Sequence, residues 1–219
     1  MANINIRGVI VPDDDAWLYD YMGIAYTAPQ NVADAITSAP EGDALDVYIN
    51  SPGGEISAGS EIYAALQRAG DRVHIHITGE ACSAASVIAM AGYCDMAPTA
   101  RMMVHNVSTC ASGDYHDMDD ASAALQTANR AIAAAYVRKS GMTEDYALTM
   151  MDAETWLTAE DALARGLIDA IAGPQDDKNS AAGQLVNSDA ALLSEDVKLQ
   201  LRTKRNQLIM WFNKLEDNA

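Results

Sequence analysis

The stretch Gly79-Glu80-Ala81-Cys82-Ser83-Ala84-Ala85-Ser86 decides the fold. It follows a β-branched run at 73–78 that is typical of a strand, and its small apolar residues continue to 91, which predicts a short buried helix. A similar junction stands about thirty residues earlier, at Asn50-Ser51-Pro52-Gly53-Gly54. Strand-to-helix junctions repeated in this way predict an α/β fold with a largely parallel sheet.

The same alternation extends over the first two thirds of the chain. Strands are predicted near 4–11, 45–50, 73–78 and 101–104, and helices at 57–69, 83–91 and 117–140. The last of these helices is long enough to project from the domain. Thr158 caps a further helix with Asp161 three residues on, a near capping box, and Gly166 ends it before the apolar run 167–172.

Charge and composition exclude several classes of protein. The net charge of −17 argues against a nucleic-acid partner, because phosphate binding needs clustered Lys and Arg. No apolar run has the length of a membrane span, and the N-terminus lacks the pattern of a signal peptide, so we expect a cytoplasmic protein with no membrane partner. Cys82, Cys94 and Cys110 are odd in number and lack CxxC spacing, which favours reduced thiols.

No cofactor or metal site is predicted. His74 and His76 share one face of a strand, but no third ligand is apparent, which favours a solvated or interface face over a metal site.

The charge is also unevenly distributed. Residues 1–194 hold 9 basic and 27 acidic side chains, whereas 195–219 hold 5 and 4, so the tail differs in character from the body.

Ser83 is the first candidate for chemistry. A hydroxyl at the first turn of a helix lies at the positive end of the backbone dipole, where free N–H groups can stabilise an oxyanion. Serine is also an ordinary N-cap, so this position alone does not establish a nucleophile. Gly53 and Gly54 allow a backbone N–H to point at a ligand oxygen, although they also fit a plain tight turn. Parallel sheets bring such junctions side by side.

Four segments in order resemble one known family. They are INSPGG at 49–54, a GxAxS motif at 79–83, His105 soon afterwards, and ETWLTAEDA at 154–162 followed by GLIDAI at 166–171. Together they resemble the proteolytic subunit of Clp protease, ClpP, over about Ile4 to Ala172. The stretch 106–114, the Ala-rich helix after it and Glu154-Thr155-Trp156 look most like the ClpP-like head maturation (prohead) proteases of tailed bacteriophages.

The resemblance implies a fold and a set of site residues. The fold is the ClpP/crotonase-like spiral of ββα units, with a projecting handle helix at 117–140 that helps to pair rings. Ser83 is implied as the nucleophile, His105 as the general base, and the backbone N–H groups of Gly54 and Ala84 as the oxyanion hole. His105 ends an apolar strand, from which its imidazole can reach a hydroxyl at the top of a neighbouring helix.

The sequence offers two candidates for the acid that the resemblance implies. Counting back from the Leu157-Thr158 segment, the position that carries Asp in the bacterial enzymes is Glu154, and Asp152 stands two residues earlier as the alternative. If neither carboxylate reaches His105, the enzyme works as a dyad. Cys82 is a weaker candidate nucleophile, since one residue along a helix start turns the side chain by about 100°.

The resemblance also implies how the protein is organised and what it cuts. A serine peptidase domain is expected at 1–172, followed by a breaker-rich linker at 173–188 and a helical tail at 189–219. Its substrates are expected to be phage scaffold or capsid proteins, cut inside the prohead in the host cytoplasm. The active form is expected to be a homo-oligomeric ring, either a heptamer or a double ring. The chain lacks a GxxxxGK(S/T) loop and is not its own ATPase.

Other functions remain as alternatives. One is a bacterial ClpP-type subunit that needs an ATPase unfoldase, and a second is a crotonase-fold acyl-CoA enzyme without a serine nucleophile. A Ser-Lys peptidase is disfavoured because no lysine precedes Lys139. An inactive ring subunit is disfavoured because Ser83, His105 and an acid near Trp156 are all present.

Overall fold

The computed structural model describes residues 2–173, 194, 196–204 and 206. The strands of the body are β1 Ala2–Ile10, β2 Tyr26–Thr27, β3 Leu45–Gly54, β4 Val73–Cys82, β5 Tyr93–Met96, β6 Arg101–Val104, β7 Thr155–Leu157 and β8 Ala170–Ile171. The helices are α1 Asp13–Met22, α2 Pro29–Ser38, α3 Ile56–Ala69, α4 Ala84–Ala89, α5 Tyr115–Ser140, α6 Glu144–Asp152 and α7 Ala159–Ala164, with a 3₁₀ turn at Gly70–Arg72.

The strands form one mixed sheet. Its main path runs β2-β1-β3-β4-β5-β8, and every pair along this path is parallel. Strand β6 pairs in parallel with β4, and β7 pairs antiparallel with β6. The prediction of an α/β fold with a largely parallel sheet is therefore confirmed.

Strands β3 and β4 are longer than the sequence predicted. Both were expected to end near residues 50 and 78, but they continue to Gly54 and Cys82. The added residues stay paired, β3 with β1 as far as Gly54 and β4 with β6 as far as Cys82. Between β3 and β4 the register shifts from Ile49 to Ser51, beyond which Ser51 pairs with Ala81. The side chain of Asn50 bridges the shift, because its Oδ1 accepts a hydrogen bond of 3.2 Å from the Glu80 amide.

Strand β4 changes its partner at this shift. Residues 74–77 pair with β5, whereas residues 80–82 pair with β6. The sheet therefore divides into two ladders along β4, and the second ladder carries the strand end that precedes α4. The junctions that the sequence singled out lie at the ends of these continued strands.

Helix α4 is buried along its whole length, as its small apolar residues predicted. It packs on α3 through Gly59, where an added Cβ would come within 2.9 Å of the Ala84 Cβ. The aliphatic side chains of β1, β3 and β4 complete this core, together with Ile62 and Leu66 on α3. The capping box predicted at the start of α7 is also present, since the Thr158 hydroxyl accepts a hydrogen bond from the Asp161 amide.

Helix α5 projects from the body, as its length predicted. Its buried residues are Ile132, Ala133, Ala135 and Tyr136, all in its C-terminal half, and residues 115–130 include none. Two polar contacts anchor that half. The Tyr136 hydroxyl lies 2.8 Å from Ser86 Oγ on α4, and Lys139 Nζ donates to the Gly92 carbonyl oxygen at 2.7 Å and pairs with Asp169.

Two sequence predictions reach beyond the described residues. The linker at 173–188 lies outside them except for Gly173, and so does most of the tail at 189–219. Residues 196–204 are described, and they are helical. None of the described helices combines the length and the hydropathy that a bilayer crossing requires.

His76 lies on a polar face of the sheet between two carboxylates. Its Nδ1 is 2.8 Å from Asp95 Oδ2, its Nε2 is 3.4 Å from Asp46 Oδ1, and its ring stacks on Tyr48. The hydrogen bond with Asp95 raises the pKa of His76 and outweighs burial, which lowers it. Within the described residues, no group of three or more His, Cys, Asp or Glu is arranged to hold a metal ion.

This geometry predicts how stability depends on pH. The pKa of His76 is raised on folding, so its contribution is present below the unfolded pKa of about 6.5 and is lost as pH rises through the higher folded pKa. We expect the stability difference between wild type and His76→Gln to shrink as pH rises above about 6.5, as measured by urea unfolding between pH 5.5 and 8.5. His74→Gln, at an exposed position on the same strand, is the control. A difference that does not change with pH would contradict the assignment.

Candidate active site

Ser83 lies at the turn from β4 into α4 in a conformation rare for a residue with a side chain. Its φ is 54° and its ψ is −126°, and the only other described non-glycine residue with positive φ is Glu154. Hydrogen bonds hold the turn on both sides. The Ser83 amide donates to the Met103 carbonyl oxygen at 2.9 Å, and the Ser83 carbonyl oxygen accepts from Ser86 Oγ at 2.6 Å. Strain of this kind persists where surrounding bonds fix it.

The Ser83 hydroxyl does not act as a helix cap. Ser83 occupies the N-cap position of α4, but its side chain makes no capping hydrogen bond. Its Oγ instead lies 2.8 Å from His105 Nε2. With Nε2 unprotonated, the hydroxyl donates to the imidazole, which is the geometry in which a base can take the serine proton.

The second ladder of the sheet brings these two residues together. Strand β6 pairs with β4 over Glu80 to Cys82, so the residues that follow the two strands emerge at the same edge. Ser83 follows Cys82 on β4, and His105 follows Val104 on β6. The partner exchange of β4 is therefore what places an imidazole beside the hydroxyl.

Gly53 allows the backbone of β3 to touch the serine turn. Its φ is 97°, and a Cβ added there would lie 2.5 Å from the Cys82 carbonyl oxygen and 2.7 Å from the Ser83 Cβ. The buried Ser51 hydroxyl fixes this segment, because it donates to the Gly8 carbonyl oxygen at 2.7 Å and accepts from the Gly53 amide at 3.1 Å. The resemblance implied a site role for Gly54 but none for Gly53. The segment is extended strand and not a plain tight turn.

The two residues implied as oxyanion donors each follow one partner of this contact in the chain, since Gly54 follows Gly53 and Ala84 follows Ser83. Ala84 is the first residue of α4, so its N–H belongs to the first turn, which has no acceptor within the helix. Its nitrogen lies 3.1 Å from the position of a Cβ added at Gly53. Gly54 packs against β1, where an added Cβ would lie 2.1 Å from the Ile10 carbonyl oxygen.

Neither candidate acid is hydrogen-bonded to His105 within the described part of the chain. Asp152 Oδ1 accepts a hydrogen bond of 2.7 Å from Asn106 Nδ2, the residue after His105. Glu154 lies at the turn before β7 with a φ of 47°. Because Val104 pairs with Thr155, the antiparallel register of β6 and β7 would next bring His105 opposite Glu154, each one residue beyond its strand. Asn106 Oδ1 is buried without a hydrogen-bond partner among these residues.

A charged clamp that the sequence did not reveal connects β4, β6 and β7. Arg101 Nε and Nη2 donate to Glu80 Oε2 at 3.0 and 2.7 Å, and Glu80 is buried. The Arg101 guanidinium also lies over the Trp156 ring, 5.0 Å from its centroid. Cation–π contact of this kind stabilises the neighbouring strands by about 0.5–1 kcal/mol at an exposed site. The clamp therefore supports the short strand β7 on which the facing position of Glu154 depends.

A pocket of about 410 Å³ opens at Ser83 and His105. Its walls come from Glu55 and Ile56 at the start of α3, the loop 106–110, and Ile132 of α5. Ser194 and Lys198 from the C-terminal segment also line it. The pocket is larger than one side chain, and it is open at the Ser83 hydroxyl.

Two other nucleophile or base candidates are poorly placed. Cys82 is 3 % exposed, and burial raises the pKa of its thiol to about 12, so it is not a thiolate at neutral pH. Lys139 is engaged by Asp169 and the Gly92 carbonyl oxygen on another side of the body. Ser83 and His105 are the pair that the structure joins.

Comparison with known proteins adds the family. A family model described as Clp protease matches residues 34–175, which include Gly53, Ser83, His105 and Glu154. Two proteins described as ATP-dependent Clp protease proteolytic subunits, from two strains of Bacteroides fragilis, are 31 % identical to this chain over 139 residues. The aligned part is 62 % of this chain and 67 % and 63 % of those two proteins. On this match, and with the fold described above, the chain belongs to the Clp protease family.

Proposed function

We propose that this chain is a serine endopeptidase in which Ser83 is the nucleophile and His105 the general base. The observation that carries the proposal is the 2.8 Å separation between Ser83 Oγ and His105 Nε2 at a strained turn that opens into a pocket. Family membership supports the same class of reaction. Cys82 and Lys139, the other candidates, are respectively protonated and engaged elsewhere.

The reaction proceeds in two halves. Ser83 Oγ attacks the carbonyl carbon of the scissile peptide bond as its proton passes to His105 Nε2, and the tetrahedral oxyanion accepts hydrogen bonds from the Gly54 and Ala84 amides. His105 then gives the proton to the leaving amine, which forms the acyl-enzyme. Water attacks the ester with His105 again as the base, and the serine is restored.

We propose Glu154 as the residue that orients the imidazole. The register of β6 and β7 supports this choice, since it would next bring His105 opposite Glu154, whereas Asp152 already binds Asn106. Glu154 needs a change at its turn to reach His105 Nδ1. Without that change, the enzyme works as a dyad of Ser83 and His105.

The substrate and the assembly are proposed from the family. Segments 106–114 and 154–156 resemble those of phage head maturation proteases, which supports scaffold or capsid proteins as substrates, cut within the prohead in the host cytoplasm. The exposed N-terminal half of α5 offers a surface for ring pairing in a homo-oligomer. A second candidate is a subunit that works with an ATPase, and the description of the two relatives as ATP-dependent favours it.

Labelling of the serine tests the peptidase proposal. A fluorophosphonate probe is expected to modify wild type at Ser83 and not to modify Ser83→Ala, as read by intact mass and peptide mapping. Peptide hydrolysis by Ser83→Ala should fall by about 10⁴-fold or more, whereas the native mass of the assembly should not change. Hydrolysis that persists in Ser83→Ala would contradict the assignment. A crotonase-type enzyme would remain unlabelled.

Substitution of the two carboxylates separates their roles. We expect Glu154→Gln to lower kcat for a peptide substrate by roughly 10²-fold, because the imidazole loses the charge that orients it. Asp152→Asn should lower kcat by less than about tenfold, since an amide oxygen still accepts from Asn106. Steady-state kinetics across pH measures both effects. The reverse order would assign the role to Asp152, and no effect from either would indicate a dyad.

The contact between Gly53 and the serine turn gives a steric prediction. Gly53→Ala places a methyl group against Cys82 and Ser83, so we expect Ser83 to shift and kcat to fall by roughly 10²-fold. Gly42→Ala is the matched control, because its φ of 86° carries a similar backbone strain while the space around it is open. Circular dichroism and kcat are measured for both variants. Equal activities in the two variants would contradict a positioning role for the contact.

A further inference from the structure

The start of α1 forms a buried anionic site that holds the C-terminal segment. Asp15 is 2 % exposed, and both its oxygens are paired. Its Oδ2 lies 3.4 Å from Lys198 Nζ, and its Oδ1 accepts a hydrogen bond from Arg202 Nη2. A buried carboxylate is costly unless its charge is matched, so the two cations make this contact specific.

Residues 196–204 are helical and present one face to the body. Lys198, Leu201 and Arg202 have the three- and four-residue spacing that places side chains on the same side of a helix. Lys198 is 5 % exposed, and Leu201 packs on the apolar cluster formed by Val9, Val11, Leu18, Tyr19 and Ala28. Val197 and Leu199 are exposed by comparison. The docking surface therefore combines one buried anion with an apolar patch.

The same segment reaches the catalytic pocket. Ser194 begins the helix, since its carbonyl oxygen accepts from the Lys198 amide at 3.0 Å. Both Ser194 and Lys198 line the pocket that contains Ser83 and His105. We propose that Ser194 and residues 196–204 form a releasable wall of this pocket, held in cis by Asp15, and that their release widens access for an extended peptide.

Charge complementarity favours the chain's own tail as the occupant. The body up to residue 194 carries three times as many acidic as basic side chains, whereas the stretch 198–205 has four basic residues and no acidic one. Association between them is therefore favourable at long range as well as at Asp15. A short basic helix is the ligand chemistry that this surface fits.

Hydrogen–deuterium exchange of the full chain tests the docking without reference to peptidase activity. Asp15→Asn and Lys198→Gln are each expected to raise the exchange of residues 196–204 by at least about tenfold, because each removes one side of the buried ion pair between Asp15 and Lys198. Lys204→Gln, an exposed position on the same helix, is the matched control and should leave exchange unchanged. Equal exchange in wild type and Lys198→Gln would overturn the proposal, as would protection that depends on protein concentration, since the occupant would then be another copy.

The effect on the pocket is measured separately and rests on the proposed peptidase function. The second-order rate of fluorophosphonate labelling at Ser83 should rise about three- to tenfold in Asp15→Asn and Lys198→Gln, in parallel with the exchange. If exchange shows that the segment is released but the labelling rate does not change, the segment docks at Asp15 as proposed but does not limit access to the pocket. Absence of labelling in every variant, wild type included, would count against the proposed function, and the exchange data would still decide the docking.

Discussion

The close contact between Gly53 and the turn at Ser83 is the constraint on which the site depends. It exists because β3 and β4 continue to pair beyond their shift of register, through Ser51 and Ala81, and so carry the two junctions forward together. Only a residue without a side chain fits there, since a Cβ would lie 2.7 Å from the Ser83 Cβ. The strained φ of Ser83 is thus supported by a neighbouring strand as well as by its own hydrogen bonds.

The partner exchange of β4 supplies the rest of the constellation. If β4 were paired with β5 along its whole length, β6 would not lie beside β4, and its end would not reach the start of α4. Because residues 80–82 pair with β6, the chain can deliver His105 from a separate strand to within 2.8 Å of the hydroxyl. The buried Tyr136 then ties α5 to α4 through Ser86, whose hydroxyl also donates to the Ser83 carbonyl oxygen. One long helix is in this way connected to the backbone of Ser83.

The parts of the fold and of the site that depend on residues close together in the sequence could be predicted from it. Small residues after a β-branched run identified α4 and Ser83, and Thr158 with Asp161 identified the cap of α7. No bounds were predicted for β2, β5, β7, α1, α2 or α6, and no site role was predicted for Gly53. Strand β7 has only three residues, and α1 begins with three consecutive aspartates, so neither shows a clear apolar period. The predicted ends of β3 and β4 were wrong because pairing with strands distant in the sequence, β1 and β6, extends them.

The sequence offered both Glu154 and Asp152 as partners for His105, and the structure gives a physical reason why it did not decide between them. Glu154 sits at a left-handed turn before β7, and this strand is joined to the sheet by one short antiparallel ladder and the Arg101 clamp. Ser83 and His105, by contrast, follow strands of the buried core. A carboxylate carried on so short a strand can adjust without disturbing the core, whereas the serine and histidine cannot. The placement of Ser83 beside His105 is therefore set by the fold, whereas the placement of Glu154 is set by the local geometry of one edge of the sheet.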